Sequence, residues 1–386
     1  MNNRVAVAMS GGVDSSVAAA ILVEQGYEVI GVTMCLLKGS LERSTGACCT
    51  PESVEDARRV AAKLGISHYV IPMQEQFDNF VIDNFIEEYK RGHTPNPCIR
   101  CNRFLKFDVL IEWAKSVGAD RIATGHYAGV RYDEECGRWL LLRGKDRSKD
   151  QAYALYALTQ PQLERVIFPL GGMKKVETRK RAAELGLRVA DKPDSQEICF
   201  VPGRDYPAFL RAVAPELVQP GPVVDLDGKV LGQHQGIAFY TVGQRKRLGI
   251  SSHEPRYVVR VDSETNTVVV GANEDLFAGT LVAKDLNLIS IESLPDTLAV
   301  TAKIRYNTKD SPAVVRGLFK NMAEVVFEQP QRAVTPGQAV VMYQGEIVVG
   351  GGTIADEREA EEIISLTKAR KGENTKEETG NREQRA

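Results

Sequence analysis

The sequence predicts an α/β chain in which a doubly wound, mostly parallel sheet spans residues 1–203 and two small β-rich domains follow. Three observations predict it. Short β-rich runs alternate with helical segments from Arg4 to about Ala123. A glycine-rich turn joins the first run to the first helix. Beyond about Pro202, long helical periodicity gives way to short alternating runs separated by Gly, Pro, Asp and Asn, as in small barrels or sandwiches.

Each element has a local cause. Val5–Met9 reads as a buried strand, and Val13–Gln25 as a helix ended near Gly26. Val29–Met34 and Tyr69–Pro72 are further strands, with the helix Val54–Leu64 between them. Thr50 can cap that helix and Pro51 suits its first turn. Phe107, Leu110, Trp113, Ala114 and Val117 share one helical face before Gly118, and the alternation places Cys101 at the start of that helix. Arg121–Thr124 is a fourth strand. Gly129–Arg143 reads as a hairpin turning near Gly137, followed by helical stretches around Gln151–Ala157 and Lys174–Leu185. In the second half, Tyr257–Val261, Thr267–Val270, Ala313–Arg316 and Ala339–Met342 read as strands. They divide into domains at 204–279 and 280–360, with the boundary near Gly279. Residues 361–386 form a polar tail, and from Lys371 onward no aliphatic or aromatic side chain larger than Ala occurs, so disorder is expected there.

Composition excludes several classes. With 386 residues the chain exceeds one ordinary core. No apolar run nears the roughly 20 residues that span a bilayer, and the N-terminus lacks the pattern of a secretory or transit segment, so a cytoplasmic protein is expected. Seven cysteines in such a length do not make a disulfide scaffold. Net charge is −2, so any nucleic-acid partner must be held by local patches.

The sharpest motif is Ser10-Gly11-Gly12-Val13-Asp14-Ser15, between the first strand and the first helix. Glycines let the backbone curl around a phosphate, Ser10 and Ser15 add hydroxyl donors, and the helix N-terminus favours the anion. Asp14 fits beside a phosphate if it holds a backbone amide or a Mg²⁺ ion. The motif resembles the pyrophosphate (PP) loop of ATP pyrophosphatases, whose shared chemistry is adenylation of a carbonyl oxygen.

A second motif, Thr94-Pro95-Asn96-Pro97-Cys98-Ile99-Arg100-Cys101-Asn102, puts Cys101 beside Arg100 and Arg103 near a helix N-terminus, which favours thiolate. A zinc half-site is the competing reading, but no second Cys-x-x-Cys or His-x-x-x-His completes it. A third motif, Asp194-Ser195-Gln196-Glu197-Ile198-Cys199-Phe200, supplies another thiol. Cys199 reads alone as a core cysteine, and with Cys101 as a pair that passes sulfur or closes a transient disulfide. Cys48 and Cys49 are a further pair without an assigned role.

These motifs, with ATGHYA (Ala123–Ala128), SKDQAYAL (Ser148–Leu155) and YTVGQRKRLGI (Tyr240–Ile250), together resemble the bacterial tRNA-specific 2-thiouridylases, in order to about Gly352. The resemblance implies ATP binding by Ala8, Met9, Ser10, Gly11, Gly12, Val13, Asp14, Ser15, Met34 and Gly125, with Mg²⁺. It implies that Cys101 is a nucleophile and that Cys199 receives a persulfide from a sulfur-carrier protein or cysteine desulfurase. The wobble uridine of the lysine, glutamate and glutamine tRNAs is the implied target. Asn96, Pro97 and Cys98 would border the flipped base, while His126, Lys149, Asp150, Gln151, Arg305, Tyr306 and Gln338 would lie against the tRNA. Basic clusters at Lys145, Arg147 and Lys149, at Lys174 and Lys175, at Arg179, Lys180 and Arg181, and at Arg245, Lys246 and Arg247 could engage phosphates. The chain departs from some family members at Cys98, where they carry Asp. Cys98, Cys101 and Cys199 therefore leave open an iron–sulfur site. An adenylating ligase acting on a small metabolite and a non-catalytic tRNA-binding protein are the alternatives. The cysteine pair speaks against the first and the intact glycine loop against the second.

Overall fold

The computed structural model describes residues 3–37, 50–194, 198–201 and 205–383. Cys48 and Cys49, and Ser195 to Glu197, lie outside the described residues. The N-terminal region contributes strands β1 (Arg4–Ala8), β2 (Glu28–Cys35), β3 (Ser67–Pro72) and β4 (Arg121–Ala123). A hairpin of β5 (Ala128–Asp133) and β6 (Arg138–Arg143) follows, turning at Gly137, and then the short β7 (Val166–Ile167). One sheet runs in the order β3-β2-β1-β4-β7, every pairing parallel. Val5, Ala6 and Val7 are all buried, as expected for a strand covered on both faces. The chain moves outward from β1 to β2 and β3, then returns to place β4 on the other side. Such an order opens a crevice at the carboxyl ends of β1 and β4, where ligands of doubly wound sheets bind.

Local chemistry explains the helices flanking this crevice. Helix Val13–Glu24 buries Val17, Ala18, Ala19, Ala20 and Leu22. Its small residues allow close packing against β1 and against helix Lys175–Glu184. Helix Pro51–Leu64 opens with Thr50 Oγ1 accepting the Ser53 N–H at 3.1 Å and ends at Gly65 in the left-handed conformation.

The helix expected over Phe107–Val117 begins earlier. Asn96 caps a turn Pro97–Arg100, which runs into a π-helix Cys101–Val109 and then the helix Leu110–Ser116. Cys101 is therefore one turn inside the helical run, and Cys98 occupies the first turn. Prolines at 95 and 97 and the Asn96 cap move the start upstream.

The second half holds two β units. A four-stranded sheet joins β8 (Gly221–Val224), β9 (Val230–His234), β10 (Tyr257–Asp262) and β11 (Thr267–Gly271) in the order β10-β11-β8-β9. The rest is a barrel of β12 (Phe277–Leu288), β13 (Leu298–Lys303), β14 (Ser311–Gly317), β15 (Ala323–Arg332), β16 (Ala339–Gln344) and β17 (Ile347–Ile354). Antiparallel pairing of β12 with β17 closes it. The boundary expected near Gly279 falls inside β12, which starts at Phe277. The β5–β6 hairpin extends the barrel sheet, Leu142 pairing with Ile347. Arg138 reinforces this junction by donating to the carbonyls of Ile289 (2.8 Å) and Leu288 (3.2 Å).

The tail expected to lack structure is instead entered by a helix, Glu357–Glu383. Asp356 caps it by accepting the Glu359 N–H at 2.9 Å, and Ile363 packs against Val282 and Ala355. An anchored first turn carries helix into residues that have no apolar face of their own.

Candidate active site

The glycine loop follows β1 directly and opens helix Val13–Glu24. Gly11 has φ +68°, and a Cβ there would sit 2.1 Å from the Ser53 carbonyl oxygen, so this position requires glycine. The Ser10 N–H donates to Ser15 Oγ at 3.2 Å, and the Ser16 hydroxyl donates to the Gly12 carbonyl at 2.8 Å. Gly125, just after β4, comes so close that a Cβ would lie 2.6 Å from the Ser15 nitrogen. The Met9 Sδ would lie 2.6 Å from a Cβ at Gly31. Loop, Met9 and Gly125 thus share the crevice, and Met34 is buried in β2 beside it.

Around the loop is a charge network. Lys175, the first residue of helix Lys175–Glu184, places Nζ 2.7 Å from Asp14 Oδ2 and 2.8 Å from Asp194 Oδ1. Asp194 also pairs with Lys149 (2.8 Å) and Arg179 (2.9 Å). Burial alone would raise the Asp194 carboxyl, but the bonds from Lys149 and Lys175 hold it at about 2. Lys192 binds Asp56 at 2.8 Å and the Gly11 carbonyl at 3.2 Å. The Tyr127 hydroxyl donates to Asp14 at 2.8 Å, and burial followed by the nearby carboxylates Asp14 and Asp194 pushes its pKa well up despite the Thr178 contact.

The sequence puts Lys149, Lys175 and Arg179 in basic clusters that could engage phosphates. In the structure Lys175 pairs with Asp14 and Asp194, and Lys149 and Arg179, each about a third exposed, pair with Asp194. The signal available was Asp14 itself, an acid at a phosphate loop that needs a cationic partner. Tyr127 and Lys192 were missed because they act from distant parts of the chain.

The cysteine loop is held from outside its own domain. Gln338 donates to the Thr94 and Pro95 carbonyls, and the Thr94 N–H donates to the Pro336 carbonyl at 2.9 Å. Asn96 Oδ1 accepts the Ile99 N–H, and Pro97 is buried. Cys98 is exposed, Cys101 buried and Cys199 half-buried. Cys101 belongs to the large apolar cluster against which Ile198 and Cys199 also pack. Phe200 fixes that second segment through ring contacts to Phe77 (5.5 Å), Phe85 (5.2 Å) and Phe209 (5.3 Å). Arg100 and Arg103 lie over the Phe104 ring at 4.9 and 5.0 Å, with Arg100 donating to the Phe80 carbonyl.

Residues expected at the tRNA fall into two groups. Tyr306 is exposed between β13 and β14, and partial burial, then Asp150 and Cys98, push its phenol above its usual value. Lys303 lies 5.6 Å from the Tyr306 ring centroid. The others serve internal bonds. Asp150 is buried and accepts the Gly144 and Ala152 N–H groups. Gln151 Oε1 accepts the Tyr127 N–H at 3.0 Å. Arg305 donates to the Ala333 carbonyl (2.6 Å) and to Thr335 Oγ1 (2.7 Å). His126 lies between Phe107 and Phe168 with Nδ1 2.7 Å from Thr124 Oγ1. Desolvation, then Lys106, pushes its imidazole well below its usual value, so it is neutral near pH 7.

Neither predicted metal site matches a donor set. Both Asp14 oxygens lie within 2.8 Å of Lys175 Nζ, so the loop offers Mg²⁺ no carboxylate that is not already shared with a cation. Among the described residues, the one group of three ligand atoms within 4.8 Å of one another is His93, Asp356 and Glu359. Cys98, Cys101 and Cys199 therefore do not form a three-thiolate cradle here. The His93 group is an ion-pair network, since Lys284 pairs with Glu359 and burial of His93 is outweighed by its bonds to Glu88 and Asp356, which raise its pKa.

A glycine-rich loop at the switch point of a parallel sheet, ringed by cations, defines a nucleotide-binding α/β enzyme. Comparison with known proteins is more specific. The family description "tRNA methyl transferase HUP domain" matches residues 3–203, "tRNA methyl transferase PRC-barrel domain" residues 208–272, and "Aminomethyltransferase beta-barrel domain" residues 278–354. The chain is 52% identical over 354 residues to the tRNA-specific 2-thiouridylase MnmA of Carboxydothermus hydrogenoformans, covering 91% of this chain and 97% of that one. It is 54% identical over 356 residues to MnmA 1 of Thermoanaerobacter sp., covering 92% and 98%, and 50% identical over 355 residues to MnmA of Clostridioides difficile, covering 92% and 98%. The chain belongs to the tRNA-specific 2-thiouridylase family.

Proposed function

We propose that this enzyme makes 2-thiouridine in tRNA by ATP-dependent sulfur transfer, with Cys101 and Cys199 as its working thiols. The observation that carries this is that the barrel, through Gln338 and Pro336, holds the loop bearing Asn96, Cys98 and Cys101, while Cys199 packs on the same cluster as Cys101. The uridine O2 attacks the α-phosphorus of ATP and pyrophosphate leaves, so that O2 becomes part of a good leaving group. The terminal sulfur of a Cys199 persulfide then attacks C2, and AMP departs with the oxygen. Cys101 attacks the Cys199 sulfur, freeing the thiocarbonyl and leaving a Cys101–Cys199 disulfide, which an external thiol must reduce. Alternatively, Cys101 releases the sulfur first, and free sulfide attacks C2.

A wobble base has to leave its loop stack to be reached, and unpaired loop bases do so readily. In this reading exposed Tyr306 receives the face of the turned-out base, and neutral His126 lies next to it. The lysine, glutamate and glutamine tRNAs are the proposed substrates, and a sulfur carrier or cysteine desulfurase the donor. Mg²⁺ would accompany ATP as its counter-ion, without a protein carboxylate of its own.

The test is ³⁵S incorporation into unmodified tRNA by pure protein, with ATP and a persulfide donor, anaerobically and without iron. ATP-dependent labelling should be lost in Cys101→Ala and in Cys199→Ala. Labelling retained with both cysteines replaced would defeat the proposal, and labelling only after iron and sulfide reconstitution would move the chemistry to a cluster.

A further inference from the structure

Cys98, Cys101 and Cys199 differ in their access to solvent. Cys98 is exposed, Cys199 is half-buried, and Cys101 is 8% exposed inside the large apolar cluster on which Cys199 also packs. Cys98 and Cys101 share one turn. The Cys101 N–H donates to the carbonyls of Cys98 and Pro97, and the bond to Cys98 is of the tight 3₁₀ kind, which brings side chains three residues apart into line. Asn96 and the buried Pro97 fix the start of that turn, and the regular helical ladder breaks at Cys101, where the π-helix begins. Side chains three residues apart on a helix stand about 5–6 Å apart at Cβ, and a disulfide needs about 4 Å. Closing Cys98 onto Cys101 therefore takes a shift on the order of 1 Å. Among the described residues the three sulfurs do not converge as the ligands of one metal would. Thiol exchange needs only two of them at a time.

The thiolation proposed above ends with Cys101 and Cys199 joined as a disulfide. A protein-sized reductant has poor access to the Cys101 side of that bond, whereas Cys98 is exposed one turn away. We propose that Cys98 is a further catalytic residue, which resolves the Cys101–Cys199 disulfide and carries the oxidation to the surface. The Cys98 thiolate attacks Cys101 Sγ. The Cys98–Cys101 bond forms, the Cys101–Cys199 bond breaks, and the electron pair leaves with Cys199, which takes up a proton and can accept another persulfide. An external dithiol then attacks Cys98 Sγ, Cys101 leaves as thiolate, and the second thiol of the reductant closes the reductant's own disulfide. Two electrons pass from the dithiol to the Cys98–Cys101 pair. The inference rests on the proposed thiolation and adds how its disulfide is cleared.

Disulfide mapping of the full chain by alkylation and peptide mass spectrometry tests this. One arm needs neither ATP nor tRNA. Cys199→Ala, equilibrated with oxidised and reduced glutathione, should close a Cys98–Cys101 disulfide. A second arm follows one turnover. Protein loaded with persulfide and separated from excess donor receives ATP, Mg²⁺ and unmodified tRNA, and is then quenched with N-ethylmaleimide. Wild type should show Cys98 linked to Cys101 and Cys199 alkylated, whereas Cys98→Ser should stop at Cys101–Cys199. In a third arm, glutathione-oxidised Cys98→Ser should be reduced by thioredoxin roughly tenfold or more slowly than oxidised wild type, the loss of an intramolecular attack. A merely structural cysteine would leave that rate unchanged. No Cys98–Cys101 disulfide in Cys199→Ala, wild type left with Cys101–Cys199 alone after labelling, or Cys98→Ser reduced as fast as wild type overturns the assignment. The ³⁵S readout is separate. A protein that closes Cys98–Cys101 in glutathione but never labels tRNA defeats the thiolation proposal and leaves the exchange between the thiols standing.

Discussion

Gln338 Nε2 donates to the carbonyl of Thr94 at 2.8 Å, and to that of Pro95 at 3.1 Å, across a sequence separation of more than 240 residues. Barrel and cysteine loop are thereby one mechanical unit. Gly337 fits against the same loop, since a Cβ there would lie 2.9 Å from the His93 Cβ. The barrel therefore helps to set where the segment bearing Asn96, Cys98 and Cys101 stands.

Gln338→Ala should loosen that loop without unfolding the chain. Two neutral hydrogen bonds at about 1 kcal/mol each are at stake, partly replaced by water. Thiolation turnover should fall roughly tenfold, since a displacement of about 1 Å in a reacting group has effects of that order or larger. Pyrophosphate affinity should not change. Wild-type turnover in Gln338→Ala would mean that the loop is positioned without the barrel.

Gly11 and Gly125 confine the nucleotide loop from two sides. Gly125→Ala would drive a methyl group to 2.6 Å from the Ser15 nitrogen and 2.7 Å from the Asp14 carbonyl carbon. The backbone amides that would meet phosphate must then shift. Equilibrium dialysis with ATP should show at least tenfold weaker binding, while tRNA affinity in a gel-shift titration stays near wild type. An equal loss of both would place the damage in the fold at large.

How much of this was legible in the sequence depends on the range of the contacts. Val5 to Ala8 and the SGGVDS turn announce their strand and loop within a dozen residues, because burial on both faces and the glycine requirement are local. The Thr50 cap was visible for the same reason. Pairing of Leu142 with Ile347, which joins the hairpin to the barrel, has no local signature. The pairing of Lys175 and Arg179 with Asp194 was hidden too, because a basic cluster looks alike whether it faces solvent or a distant carboxylate. The motif marks Cys101 as a candidate reactive thiol, whereas its burial and the π-helix that starts at it arise from packing on residues far away.

Phe200 should be among the most costly side chains to remove. It is 1% exposed and touches Phe77, Phe85 and Phe209. Phe200→Ala should destabilise the protein by about 3–5 kcal/mol, from lost burial and the cavity left. It should also impair thiolation more than ATP binding, since Cys199 is its neighbour in sequence. Urea unfolding gives the first quantity. A change below roughly 1 kcal/mol would mean that the segment around Cys199 is not anchored as described.

His93 gives the structure a pH dependence of definite sign. It is 4% exposed, with Nδ1 2.9 Å from Glu88 and Nε2 3.1 Å from Asp356, so one ring joins the catalytic domain to the start of the last helix. Burial opposes its charge, but hydrogen bonds to Glu88 and Asp356, and the field of Glu88 and Glu359, raise its pKa. Lys284, paired with Glu359, and Arg91 are the cations facing the group. Glu88 and Asp356 are in turn held below their usual range and stay ionised near neutrality. Because the folded pKa of His93 is the higher one, its stabilisation is complete below the unfolded value of about 6.5. It is lost as pH rises through the folded value. His93→Gln keeps polar contacts but cannot carry the charge. The melting temperature of wild type should therefore exceed that of His93→Gln most at pH 5.5–6, with the gap narrowing toward pH 9. A gap that stays constant over that range, or widens, would show that His93 contributes by packing and neutral hydrogen bonds alone.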